Sequence, residues 1–164
     1  MNRELHIYMS NQSGARPGLK AGRSNEMTLI MPLKPGGAER LRKKMGPDKF
    51  AGGWALDRLR TVHDLRFAIF DNDTRLLFAS TFDGDWDAYI NDFVALIPNE
   101  IEAVFGEVED FPGVHSPKFK DEIVKYQVSS LYFYSAYPKA SVRDVWKALK
   151  IKGGLDVVLD EATS

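Results

Sequence analysis

Residues 61–70 and 76–82 are two strand-like, apolar-rich runs joined by the polar tract Asp71-Asn72-Asp73-Thr74. Two such runs with so short a polar connection form an antiparallel β-hairpin and little else. A hairpin alone is marginal in water, so the rest of the chain must supply further strands and helices to cover it. Residues 27–33 supply one strand, because Met27, Leu29, Met31 and Leu33 alternate with Thr28, Ile30 and Pro32. After the turn Lys34-Pro35-Gly36-Gly37, the spacing of Ala38, Leu41 and Met45 predicts a short helix. Its cations Arg42, Lys43 and Lys44 sit near the C-terminal end, where the helix dipole favours them, and Gly46-Pro47 stops it. Residues 48–60 read as a loop with one helical turn at 56–59.

Beyond the hairpin, Trp86, Ile90, Phe93, Val94 and Ile97 share a helical face, with Asp83 or Asp85 available as N-cap. Pro98 suits the first position of a new segment, on which Ile101, Val104 and Phe105 continue to Gly106. Pro112, Gly113 and Pro117 mark an irregular stretch. Residues 128–137 are apolar on both sides, with Tyr132 and Tyr134 on one and Leu131, Phe133 and Tyr137 on the other, so the pattern predicts a central strand buried on both faces. Ser141 and Asp144 resemble a capping box before Val142, Val145, Trp146 and Leu149, and Gly153-Gly154 is expected to end that helix. Residues 1–26 are rich in turn formers and read as a mobile arm, leaving 27–164 as one domain.

The chain of 164 residues is 44% hydrophobic and 27% charged, as globular domains are. It has no cysteine, which excludes disulfides, thiolate metal sites and thiol nucleophiles. No signal-peptide pattern or membrane-length apolar run appears, so a cytoplasmic location without membrane association is expected. Charge is segregated: residues 1–60 carry 12 basic and 5 acidic side chains, and residues 61–116 carry 2 and 12. The acidic middle repels phosphate and no arginine-rich run interleaves with aromatics, so nucleic acid is not an expected partner. Nucleotide-binding glycine motifs and the Gly-x-Ser-x-Gly elbow are absent, and His6, His63 and His115 show no metal-ligand spacing. No cofactor or metal is expected.

The element order β, α, β, β, α, β plus a C-terminal helix is the ferredoxin-like arrangement, an α+β fold with an antiparallel sheet and its helices on one face. Strands apolar on both faces then need a cover for the other side. Residues 27–45, the hairpin with His63, Arg66 and Phe67 running to Phe82-Asp83-Gly84, and Tyr137-Pro138 with Ser141-Val142 together resemble a bacterial branch of the dimeric α/β-barrel superfamily. That resemblance covers about residues 27–150 and implies a homodimer. The superfamily includes cofactor-free monooxygenases, lactone isomerases, haem-degrading enzymes, chlorite dismutases and dye-decolorising peroxidases, so it selects no reaction. The peroxidases carry Gly-x-x-Asp-Gly; here Asp83-Gly84 is preceded by Ser80 in place of the first Gly, which weighs against a haem-binding, peroxidase-like protein.

Candidate site residues follow. Counted by strand parity, His63 shares a face with Leu65, Phe67 and Ile69; burial there would keep the imidazole neutral and able to accept a proton. Arg66, on the other face, either pairs with Asp64 or Asp83 or holds a ligand's carboxylate or phenolate. Asp83 most simply caps the next helix. Tyr132, Tyr134 and Trp86, with Trp54 and Phe133, supply aromatic walls of the kind a small apolar ligand requires, or else ordinary core and dimer contacts. The expectation is a self-associating domain that binds a small apolar or aromatic molecule; the alternative is a cofactor-independent monooxygenase or isomerase with His63 as general base.

Overall fold

A computed structural model describes residues 18–45 and 58–163. Most of the expected arm, the loop around Trp54 and the stop at Gly46-Pro47 lie outside the described residues. The elements are β1 (Lys20–Ala21), β2 (Ser24–Pro32), α1 (Gly37–Lys44), β3 (Val62–Phe70), β4 (Arg75–Asp83), α2 (Trp86–Leu96), α3 (Pro98–Phe105), α4 (Phe119–Tyr126), β5 (Gln127–Val128) and α5 (Val142–Thr163). All strand pairs are antiparallel, in the order β1-β2-β4-β3, with β5 also beside β2. This α+β arrangement, with β5, β2, β4 and β3 in spatial sequence, is compatible with the ferredoxin-like fold.

The hairpin turns as its composition demands. Asp71, Asn72 and Asp73 all take positive φ, at 54°, 52° and 67°, a region that short Asp and Asn side chains tolerate. From there β3 and β4 pair along their length, Phe70 opposite Arg75 and Phe67 opposite Phe78.

One face of the sheet carries Met27, Leu29 and Met31 from β2 and Leu76, Phe78 and Phe82 from β4, all essentially without solvent contact. Ile90, Phe93, Ile101, Val104, Phe105, Phe119 and Ile123 from three helices pack onto it, each such side chain contributing roughly 1.5–3 kcal/mol of burial. Phe82 and Tyr89 stack at 3.8 Å between ring centres and 4° between planes. The buried Tyr89 hydroxyl donates to Ser80 Oγ at 2.7 Å, and burial raises its pKa well above the ordinary value of 10.0.

A polar clamp ties α1 to α3. Glu107 accepts from Arg40 Nε at 2.7 Å and Lys44 Nζ at 2.6 Å, while Lys44 and Lys34 also donate to Ala103 O and Gly106 O at the end of α3, where the carbonyls lack helical partners. Burial alone would push the Glu107 carboxyl up, but the bonds from Lys44 and Arg40 outweigh it and hold it below its ordinary value.

Three sequence expectations need correction. Residues 128–137 do not form a central strand: only Gln127 and Val128 pair, with Leu29 and Thr28. The edge of β2 further on is already taken. Lys20 and Ala21 pair with Asn25 and Ser24, and the Glu26 N–H donates to Leu19 O at 3.0 Å, so the pairing positions for residue 129 onward are filled. The strand β2 accordingly starts at Ser24, inside the stretch read as arm. Second, the stretch read as irregular is followed by α4, whose Phe119 and Ile123 lie four apart and are buried. Third, Gly153-Gly154 does not end the last helix, which runs on to Thr163.

Candidate functional site

Residues directly opposite in an antiparallel ladder point to the same side. The side of the sheet away from the helical core therefore carries Ser24, Glu26, Thr28, Ile30 and Pro32 from β2, with Arg75, Leu77, Ala79, Thr81 and Asp83 opposite them on β4. From β3 it carries Asp64, Arg66, Ala68 and Phe70. At one end Ser24 and Glu26 are buried, where the Arg23 N–H reaches Pro138 O at 2.8 Å and the Leu19 N–H reaches Glu26 Oε1 at 3.0 Å. At the other end Ile30 and Leu77 are only half-buried, and Ala68 and Phe70 are exposed.

His63 sits at a β-bulge. Val62 opposes Phe82 and Asp64 opposes Thr81, leaving His63 as the extra residue. The bulge overturns the parity count, because Val62, not His63, joins Leu65, Phe67 and Ile69 against the core. The imidazole turns instead to the cross-strand pair Ser24 and Asp83. Its Nε2 lies 2.8 Å from Asp83 Oδ1 and 3.3 Å from Ser24 Oγ. A carboxylate only accepts, so Nε2 carries the hydrogen of that bond, and in the neutral imidazole Nδ1 is the acceptor. The His63 side chain is 22% exposed and that of Asp83 is 14% exposed, although the His63 main chain lies at the open edge of β3.

The chemistry available follows from that arrangement. In a serine relay the hydroxyl and the carboxylate meet different ring nitrogens, whereas here both meet Nε2, so Ser24 is not an activated nucleophile. What the pair does provide is an oriented imidazole with its second nitrogen directed away from the carboxylate. Asp83 also works as a tie: its Oδ2 accepts the Val142 N–H at 2.8 Å, at the start of α5. Beside it, Ser141 and Asp144 form the expected capping box. The Asp144 N–H donates to Ser141 Oγ at 3.2 Å, and the Ser141 N–H donates to Asp144 Oδ2 at 2.9 Å. The hydrogen bonds from Ser141 are the main cause that holds the Asp144 carboxyl below its ordinary value. Asp83 thus does not cap α2; Asp85 occupies that position, and it makes no side-chain capping bond there.

The other expected site residues lie apart. Arg66 is exposed and its Nη1 approaches Asp64 at 3.6 Å. Trp86 is partly buried against the helical core. Tyr132 and Tyr134 are 61% and 66% exposed, so within one chain they line no enclosed cavity. Ser24 escaped sequence reasoning because its segment looked like arm. Its contribution had no signal, since a serine facing a histidine 39 residues away depends on strand register. A depression of about 510 Å³ lies at the far end of the sheet, lined by Pro32, Lys34, Gly36, Asp73, Thr74, Arg75 and Glu109 among others, and it contains none of the expected site residues. Among the described residues no three His, Asp or Glu side chains gather as a metal site, and no helix is long and apolar enough to cross a membrane.

No protein-family model, curated protein or solved structure matches this chain.

Proposed function

We propose that this chain is a self-associating domain of the dimeric α/β-barrel type, in which a second copy covers the open sheet face and a small apolar or aromatic molecule is held beneath that cover. The observation that carries the reading is the apolar surface left around this face. Ile30, Leu77, Ala68 and Phe70 are half-buried or exposed, and Leu131, Tyr132, Tyr134 and Tyr137 run beside the sheet's end with relative exposures from 61% to 101%. Single exposed apolar residues are ordinary; here one group lies at one end of the open face and a second follows β5, and a second copy would cover both. A second copy suits it by charge: residues 61–116 carry ten more anions than cations, whereas residues 129–152 carry five cations and one anion.

The test is sedimentation equilibrium at micromolar concentration, followed by titration with aromatic polyketides, fatty acids and haemin monitored by tryptophan fluorescence and Soret absorbance. A dimer that Leu77→Asp dissociates, with saturable binding of an apolar probe, supports the reading. A monomer that binds none of the probes refutes it.

A second reading, a cofactor-independent monooxygenase or isomerase, is favoured by the His63–Asp83 hydrogen bond, since a carboxylate on one ring nitrogen is how a general base is oriented. Turnover of an aromatic substrate lost at least a hundredfold in His63→Gln, with binding retained, would establish it.

A further inference from the structure

The last helix cannot satisfy its apolar side chains within one chain. At about 100° per residue, Val142, Trp146 and Leu149 fall on one side of α5. Val142 is buried and the Arg60 guanidinium lies 5.4 Å from the Trp146 ring, so the start of this side meets the chain's own body, whereas Leu149 is 60% exposed. On nearly the opposite side, Ala148, Ile151, Leu155 and Val158 form a second stripe. Ile151, Leu155 and Val158 there are 61%, 55% and 60% exposed.

The second stripe has two properties of a self-complementary seam. Its spacing of three, four and three residues is that of core positions in a coiled coil, and it reads the same in both directions, which a two-fold axis requires. Charge runs the opposite way in its two halves: Lys147, Lys150 and Lys152 precede Gly153, and Asp156, Asp160 and Glu161 follow it. Antiparallel pairing sets the basic half of each helix beside the acidic half of the other, whereas parallel pairing sets like beside like. Gly154 flanks the stripe at its midpoint. A Cβ built there meets nothing within 4 Å in its own chain, so no intrachain packing accounts for a glycine that weakens the helix. In the register that opposes residue 148 to residue 158, Gly154 lies about 3 Å along the axis from its own copy, where it lets two backbones approach closely. A lipid surface suits this helix poorly, because a flat bilayer needs a single stripe and the second half is acidic.

We infer that α5 pairs antiparallel with α5 of a second copy through Ala148, Ile151, Leu155 and Val158, crossing beside Gly154. The inference rests on the self-association reading and assigns it a contact.

The absence of native cysteine makes the test direct. In the full-length chain, Gly154→Cys is expected to form a disulfide-linked dimer under mild oxidation. Val158→Cys is expected to form none, because antiparallel pairing opposes residue 158 to residue 148 and so separates the two sulfurs by about 15 Å along the axis. Leu155→Asp, at an exposed position, is expected to weaken the dimer at least tenfold by sedimentation equilibrium, with the melting temperature of the monomeric fold unchanged. Cross-linking through Val158→Cys but not Gly154→Cys overturns the antiparallel arrangement. A wild-type dimer that survives Leu155→Asp undiminished overturns the α5 contact while leaving self-association intact. A monomeric wild-type chain at tens of micromolar overturns both.

Discussion

His63→Leu separates a structural imidazole from a functional one. The substitution preserves most of the side-chain volume and removes the hydrogen that Nε2 donates to Asp83 Oδ1 at 2.8 Å. Asp83 keeps its other donor, the Val142 N–H, also at 2.8 Å, so the carboxylate is left half-satisfied instead of stranded. With only 22% and 14% of the two side chains exposed, water replaces the lost donor poorly. A hydrogen bond to a charged group contributes about 1.5–3 kcal/mol, and one surviving donor favours the lower half of that range, about 2 kcal/mol. For a domain of this size that corresponds to a fall of about 4–8 °C in melting temperature.

The assay is urea and thermal unfolding of His63→Leu, Asp83→Asn and the double variant. An unchanged urea m-value would show that the denatured state is unaltered. The two single losses should exceed the loss in the double variant by about 1 kcal/mol or more, the coupling expected for residues in direct contact. Equal or greater stability of His63→Leu would refute this reasoning, for it would mean that the bond contributes nothing and that the imidazole is held at a desolvation cost. Function would then be the remaining reason for a histidine at the bulge.

Glu107→Gln is expected to lose about 1–2 kcal/mol at neutral pH as two charge-assisted bonds become neutral ones. Because the folded carboxyl titrates below its ordinary value of 4.5, the wild-type advantage is complete above that value. It disappears as the pH falls through the lowered folded value, so the two unfolding profiles should converge in acid. Tyr89→Phe leaves the buried Ser80 hydroxyl without its donor, and should destabilise by about 1–2 kcal/mol in urea unfolding with no change in far-ultraviolet dichroism. Ser141→Ala removes the acceptor for the Asp144 N–H and should cost α5 about 1 kcal/mol of local stability, seen as faster amide exchange in its first turn while the sheet core exchanges as before.

The legible parts of the fold were those in which local pattern and tertiary environment agree. The hairpin could be placed because its turn residues, its apolar-rich runs and its buried face all demand one structure, and α1 because Gly36 at φ 72° and the basic last turn mark both of its ends. The His63 cluster could not be placed, since a single bulge reverses the face a residue joins and nothing in Val62-His63-Asp64 announces one. Asp83 was visible as a residue before a glycine turn. Its two partners lie 20 and 59 residues away, and only the register of β3 against β4 and the path of the chain into α5 bring them together.

The failed strand at residues 129–137 carries a physical message of its own. Tyr132, Phe133 and Tyr134 are strong strand formers, and a double-sided apolar pattern belongs to a segment covered on both sides. Yet Leu131 is fully exposed and Tyr132 and Tyr134 are mostly so. Such a conflict between local preference and global position is selected against in foldable sequences. It is resolved when the environment that the pattern implies is completed from outside the single chain. Within the chain that environment is closed off, because β1 occupies the edge of β2 that a longer β5 would need. The same holds for α5, which meets the body only at its start and leaves the stripe of Ile151, Leu155 and Val158 in solvent. Two neighbouring segments with unmet apolar demand, one extended and one helical, both follow the last pairing of the sheet. On the proposed self-association a second copy would cover both without any rearrangement of the core, and that is why the oligomeric state is the first measurement to make.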